Sequence, residues 1–218
     1  MSGEKPGWDK LYLDLTRMGD YHAEKGKVIK NLGILNLPAD SKILDIGCAT
    51  GDLFIMLRDN NFINLFGAEP FYNLAKEAKS KANVAVSDGR YLSYKSGSLD
   101  AVMIISSLHH LKPMSEVKKC VVEAKRVLKD TGGLFIVDHH CGMVLRLGLK
   151  VIYSPFVHFF PYYKQMKKVI DQESDLFFHW LENYKILFEI LDDLGFIIQT
   201  YKTDFTVMYI KAELNKSV

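Results

Sequence analysis

The stretch that most constrains this chain is residues 42–52. An apolar run (Ile43, Leu44, Ile46) carries one acid, Asp45, and is followed by Gly47, Cys48, Ala49, Thr50, Gly51 and Asp52. The run reads as a β-strand, and the segment after it, with Leu53, Ile55, Met56 and Leu57, reads as a helix over 52–60. The turn between them must be sharp, and glycine is the residue that reverses a backbone or lets it approach a neighbour closely at least cost. A strand entering a helix through a short glycine turn is half of a βαβ unit, which commits the downstream chain to a parallel sheet.

The rhythm continues as that start requires. Strand-like runs recur at 65–69, 84–86, 99–105 and 134–138, the last opened by Gly132 and Gly133. Helical patterns fall between them at 73–81 and 115–128, the second with Val117, Val121, Val122, Ala124 and Leu128 on one face. The strands are continuous apolar runs, not alternations, which suits a sheet covered on both faces. A helix is expected upstream at 21–35 and another at 176–194, closed by Gly195. Residues 196–200 and 206–211 then read as an antiparallel pair.

Residues 142–174 break the pattern with Pro155, Pro161 and the aromatics Tyr153, Phe156, Phe159, Phe160, Tyr162 and Tyr163. They read as an insertion or cap on a single domain spanning 1–218, which starts with helices within 1–35. Inside the cap, Arg146 and Lys150 share a helix face, while Met143, Val144, Leu145, Leu147, Leu149, Val151 and Ile152 cover the rest. Such a helix can be a lid over a greasy substrate, a segment lying on a membrane interface through 142–168, or a helix packed on the core with two charges at its rim. Lys164, Lys167 and Lys168 read as a solvated face that would also favour anionic lipid.

Composition narrows the function classes. With 28 basic against 26 acidic residues the formal charge is +2, too weak for a nucleic-acid or polyanion binder. The 48% apolar and 25% charged content is that of a folded globular chain. Cys48, Cys120 and Cys141 lack metal-ligand spacing and read as free thiols in a reducing compartment. Charges interrupt every apolar run before the ~18 residues a bilayer span needs, and Lys5, Asp9, Lys10 and Asp14 interrupt any leader. A cytoplasmic protein, at most peripheral to a membrane, is expected.

The glycine turn is not a nicotinamide-dinucleotide fingerprint, because Ala49 and Asp52 stand where the second and third glycines belong. Nor is it a P-loop, since no Gly-Lys-Ser/Thr comes after it. What accompanies it is acid: Asp45 before the turn, Glu69 at the tip of the next strand, Asp88 after the third. A carboxylate at the position of Glu69 can accept both hydroxyls of a ribose, and one at Asp88 the donors of an exocyclic amine. Three carboxylates suit a ligand with hydroxyls, amines and a positive charge, and suit a diphosphate poorly, because like charges repel.

Five blocks in this order resemble the class I S-adenosylmethionine-dependent methyltransferases of the small-molecule type, over about 20–140 and again at 175–212. They are Asp45 to Gly51; Leu65 to Pro70; Ser87-Asp88-Gly89; Ser98 to Val102 with Ser106 to Leu111; and Arg126 to Lys129 with Gly132 to Val137. The resemblance implies an α/β, Rossmann-like three-layer sandwich with a seven-stranded, mostly parallel sheet whose last strand is antiparallel, and a helical, aromatic insertion after strand five. It implies S-adenosyl-L-methionine across the C-terminal ends of strands one to four, held by Asp45, Gly47, Cys48, Ala49, Gly51, Glu69, Pro70, Asp88, Gly89 and Ser106. Ala49 stands where many members carry glycine, which implies a less intimate backbone approach. N-terminal Trp8, Tyr12 and Tyr21 would close over the cofactor. The family's asparagine-proline-proline-aromatic block for nucleic-acid amines is absent, since Ser106-Ser107-Leu108-His109 stands there. This argues against base methylation of DNA or RNA and leaves a small-molecule amine open; with the 142–174 insertion choosing the substrate, the expected acceptor is a small, hydrophobic molecule.

Methyl transfer from a sulfonium is an in-line displacement that needs position and desolvation, with a base where the acceptor must lose a proton. His109, His110, His139 and His140 come after strands four and five, which the family places side by side, so all four are candidate bases, His109 or His110 foremost. The same rings could instead cap the local turns. A metal site drawn from Asp138, His139, His140, Cys141 and His109 is disfavoured, because adjacent histidines at a strand end point opposite ways, and no metal is expected. The alternative reading is a catalytically silent cofactor-binding module that docks through 142–168. The acceptor atom and the oligomeric state stay open.

Overall fold

A computed structural model describes residues 21–155, 159 and 161–215. Helix α1 spans Tyr21–Leu32, and a 3-10 turn at Ile34–Asn36 leads into β1, Ile43–Ile46. Strand β1 runs into α2 (Asp52–Asp59), and β2 (Leu65–Ala68) into α3 (Tyr72–Ala78), before the short β3 (Asn83–Ala85). Next come β4 (Leu99–Ile105), a 3-10 turn (Leu108–His110), α4 (Met114–Val127) and β5 (Leu128–His139). Four helices, α5 (Met143–Ile152), α6 (Pro161–Gln172), α7 (Ser174–Asn183) and α8 (Ile186–Asp193), precede the hairpin of β6 (Phe196–Thr203) and β7 (Val207–Leu214).

The strands form one seven-stranded sheet in the order β3-β2-β1-β4-β5-β7-β6. Strands β1 to β5 pair in parallel, whereas β7 lies between β5 and β6 and is antiparallel to both. The expected three-layer sandwich is the one observed. Its cause lies in the strand residues, which alternate between two cores. Leu44, Ile46, Val102, Ile104, Leu134 and Ile136 face α4, α7 and α8. Ile43, Ala101, Met103, Phe135 and Val137 face α1, α2 and α3. Both faces are covered there, so the central strands are apolar at most positions.

Two element boundaries differ from those expected. Strand β5 begins at Leu128, not after the glycines, and Gly132 sits within it, where the pairing with β4 shifts register between Leu99 and Ala101. A Cβ on Gly132 would lie 2.7 Å from the Leu128 side chain and 3.0 Å from the Lys129 carbonyl, so the irregular pairing there requires a glycine. The helix expected at 176–194 is two helices broken at Tyr184 and Lys185. The apolar stripe through Phe177, Trp180, Tyr184, Leu187 and Leu191 runs across the break, so periodicity does not reveal it. On α4, Val122 faces solvent while Cys120 takes a buried place.

Helix α5 buries Leu145 and Ile152 and leaves a row of apolar side chains outward: Met143 is 76% exposed, Leu147 54% and Val151 53%. Its C-terminal end is tied to α6, where Asp171 accepts from the Tyr153 hydroxyl at 2.9 Å and from Lys167. Lys167 is thus paired, not simply solvated. Trp8, Tyr12, Phe156 and Phe160 lie outside the described residues. Among the described residues no helix is long and apolar enough to cross a membrane.

Candidate active site

Strand order reverses between β1 and β4, and an open α/β sheet binds ligands at the C-terminal strand ends beside such a point. The glycine turn lies there. Gly47, Ala49 and Gly51 all have left-handed backbones, with φ of 74°, 47° and 77°. The Ala49 N–H donates to Glu69 Oε2 at 2.9 Å, and the Phe71 N–H donates to Oε1 at 2.9 Å. Glu69 is only 4% exposed, and burial, only partly offset by these two amide donors, holds its carboxyl above the usual range. One carboxylate thus ties the first turn to the start of α3, and each oxygen keeps a second lone pair for another donor.

The other residues of this half are placed unevenly. Asp45 is buried on β1. Asp88 forms a pair with Arg90 at 2.5 Å, and Arg90 also reaches Glu116 at 2.5 Å. Hydrogen bonding from that guanidinium outweighs burial and holds the Asp88 carboxyl below its ordinary value, so Asp88 is not an open acceptor as expected. Cys48 is buried, and its sulfur lies 2.7 Å from where a Cβ on Gly67 would be, so its side chain belongs to the core and only its backbone faces the turn. A Cβ on Gly89 would meet Ile46 at 2.6 Å, so this glycine is required by packing on β1. Pro70 and Ser106 are exposed, and Ser106 has φ 52° as the chain leaves β4.

Ser107, which no local sequence signal singles out, occupies the space beside Gly47. A Cβ on Gly47 would fall 2.2 Å from the Ser107 Oγ. The glycine is therefore needed for the approach of the β4 loop as well as for its positive φ.

The second half of the site gathers on Asp138, the buried penultimate residue of β5. Its Oδ2 accepts the N–H groups of Leu108 (2.9 Å) and His109 (3.3 Å). Its Oδ1 accepts the His139 N–H (2.7 Å) and meets His109 Nδ1 at 2.7 Å. Burial would raise this carboxyl, but the charge and hydrogen bond of His109, with help from His139, hold it below the usual range. The Asp138 contact orients the His109 ring with Nδ1–H inward and leaves Nε2 as the basic nitrogen. Rings of His109 and His110 lie 4.0 Å apart, and that of His139 5.2 Å from His109, with Phe177 edge-on to both His109 and His139. Burial, reinforced by His109, pushes the His139 imidazole down to about 4, so it is neutral near pH 7.

The four candidate histidines therefore separate. His109, His110 and His139 converge. His140 turns the other way, its Nε2 donating to the Asp204 carbonyl at 2.9 Å in the β6–β7 turn. That divergence is the alternation expected of neighbours where β5 ends, His139 being its last residue and His140 the next. His109 and His110 escape it because they lie on a 3-10 turn. Asp138 had a sequence signal, an acid closing an apolar strand; Glu173, 3.1 Å from His110 Nδ1, had none, since 63 residues of chain separate them.

Comparison with known proteins places the chain among methyltransferase domains. Residues 44–136 match a family described as "Methyltransferase domain". The chain is 29% identical over 142 residues to the ubiquinone/menaquinone biosynthesis C-methyltransferase UbiE of Campylobacter jejuni, covering 61% of this chain and 59% of that protein. It is 31% identical over 115 residues to the 27-O-demethylrifamycin SV methyltransferase of Amycolatopsis mediterranei, 49% of this chain and 41% of that protein. It thus spans about three fifths or less of these relatives' lengths. Among solved structures, the PH0226 protein of Pyrococcus horikoshii OT3 superposes with TM-score 0.66 at 19% identity, covering 97% of this chain and 96% of that one. The magnesium protoporphyrin IX methyltransferase of Synechocystis PCC 6803, solved with bound S-adenosylmethionine, gives 0.61 at 17% identity, covering 96% and 94%. These likenesses are of fold.

Proposed function

Because the chain carries a class I S-adenosylmethionine-dependent methyltransferase domain, we propose that it transfers the methyl group of S-adenosylmethionine to a small, apolar acceptor. The observation that carries this reading is the Glu69 carboxylate, held by the Ala49 and Phe71 amides against the glycine turn at the sheet's reversal point. The chemistry around that turn fits the group: the carboxylates of Asp45 and Glu69 would offer acceptors to hydroxyls and amines, and their charge favours a cation, while the Asp88 charge is already met by Arg90. When bound, S-adenosylmethionine supplies a methyl group on a cationic sulfur, which becomes neutral as the methyl leaves.

Each residue then has a role. The lone pairs remaining on Glu69 would take the ribose hydroxyls, and the backbones of Gly47 to Gly51 would line the turn. Asp88 would take part only by sharing its oxygens with Arg90. His109, fixed by Asp138, would hold Nε2 toward the acceptor and receive its proton, the proton moving from acceptor to Nε2 while Asp138 stays ionised. His139, neutral and pressed on Phe177, gives that half of the cleft an apolar wall suited to a hydrophobic acceptor. Two relatives' names, a C-methyltransferase of quinone biosynthesis and a methyltransferase of a demethylrifamycin, support a small-molecule acceptor. The 142–174 segment is read as the cap over it.

Isothermal titration with S-adenosylmethionine tests the reading. Replacing Glu69 by Ala removes charge-assisted hydrogen bonds worth roughly 1.5–3 kcal/mol, so affinity should fall by about tenfold or more. Undiminished affinity in Glu69→Ala, with the fold intact by circular dichroism, overturns it.

A further inference from the structure

We propose that His109, His110 and Glu173 form a binding site for a divalent transition ion of Zn²⁺ type at the acceptor side of the cleft. One donor atom from each of the three residues lies within 4.8 Å of the other two. His110 Nδ1 and Glu173 Oε1 are already 3.1 Å apart. Ligands bound at about 2.0–2.2 Å around a tetrahedral ion stand roughly 3.3 Å from one another, so a small closure of the His109 ring completes the set.

Three further features belong to a metal site more than to an ion pair. Glu173 is 6% exposed, and its Oε1 receives no hydrogen bond despite that burial. A buried carboxylate oxygen aimed at two imidazoles costs free energy unless a cation meets it. Next, Asp138 grips His109 through Nδ1, which leaves Nε2 as the coordinating nitrogen and supplies the carboxylate that metal-bound histidines use to fix ring and tautomer. Finally, the 3-10 turn brings the neighbouring rings of His109 and His110 to 4.0 Å, which a strand could not do. Two nitrogens and one oxygen suit a borderline ion such as Zn²⁺ or Co²⁺ over Mg²⁺ or Ca²⁺. Three protein ligands leave a fourth position open, as in sites that bind a substrate oxygen.

This deepens the methyltransferase reading and rests on it: an acceptor bearing a hydroxyl or enol oxygen would bind the open position, where the ion lowers its pKa so that its proton passes to solvent water, with His109 as ligand instead of base. Methylation at that oxygen, or at a carbon conjugated to it, then proceeds from the bound anion. The site lies on the β4 side of the glycine turn, where the Ser107 hydroxyl, three residues before His110, donates to the Gly47 carbonyl at 3.5 Å.

The test uses the full chain, stripped with chelator and titrated with Co²⁺ followed by its visible absorption, then with Zn²⁺ in competition with a chromophoric chelator. One equivalent should bind, with the strong absorption of a four-coordinate Co²⁺ site. Glu173→Gln, nearly isosteric, and His110→Asn should each weaken binding at least tenfold, and Asp138→Asn by roughly 10–100-fold as a positioning residue. Absence of stoichiometric binding to the unmodified chain overturns the proposal, as does affinity unchanged in both Glu173→Gln and His110→Asn. Titration of Glu173→Gln with S-adenosylmethionine separates the two ideas: cofactor affinity should be retained there whatever becomes of the metal, whereas Glu69→Ala should lose cofactor and keep metal.

Discussion

The two halves of the site are built by opposite means. Around β1 to β3 the backbone makes the site: three left-handed residues, amides from Ala49 and Phe71, and one carboxylate that holds them. Beyond β4 and β5 side chains make it: one buried acid, three imidazoles and a glutamate from the junction of α6 and α7. A backbone site serves a constant part of a ligand, because its donors change little with side-chain identity. A side-chain site can be rewritten residue by residue, which suits whatever part of the reaction varies.

Three measurements would break or sharpen that contrast. The largest effect is expected at Asp138. Three of its four hydrogen-bonding contacts lie in the interior and the fourth at its edge, and Asp138→Ala leaves them without an acceptor. The loss should be about 3–5 kcal/mol of folding stability by urea denaturation. Less than ~1 kcal/mol would mean that the acid is not the hub of its half.

Next is His139. The unfolded chain binds its proton below the ordinary histidine value of 6.5, the folded chain only below about 4. Stability from this group is therefore complete above 6.5 and is lost as pH falls toward 4, on the order of 3 kcal/mol in all. His139→Gln should flatten that part of the pH profile of unfolding free energy, and an unchanged slope would contradict it.

The third addresses the seam between the halves. Gly47→Ala should cost roughly 1–3 kcal/mol, because a Cβ there would lie 2.2 Å from the Ser107 Oγ and the φ is left-handed. Adding Ser107→Gly should recover part of it, and strict additivity in the double-mutant cycle would show the halves to be independent.

The same contrast decides how much of the molecule is legible in its sequence. The parallel sheet, its five successive parallel strands and the closing hairpin can be read because apolar runs and glycines are local signals. Gly47, Gly51 and Glu69 can be read for the same reason. The break at Tyr184 cannot, since the apolar stripe crosses it unbroken. Nor can the reach of Arg90 to Glu116, the choice of Ser107 as the neighbour of Gly47, or the approach of Glu173 to His110, all of which depend on where distant segments pack. The histidines are visible as residues but not as a set: the turn at Leu108–His110 gathers two that a strand would have split, and β5 sends His140 away.

The contact between Ser107 and Gly47 carries one more consequence. Ser107 is two residues from His109, so whatever settles against the first glycine must also settle the loop that bears the imidazole. Because the Ser107 hydroxyl donates to the Gly47 carbonyl at 3.5 Å, occupancy of the turn and the position of the imidazole are expected to be linked through a single hydroxyl.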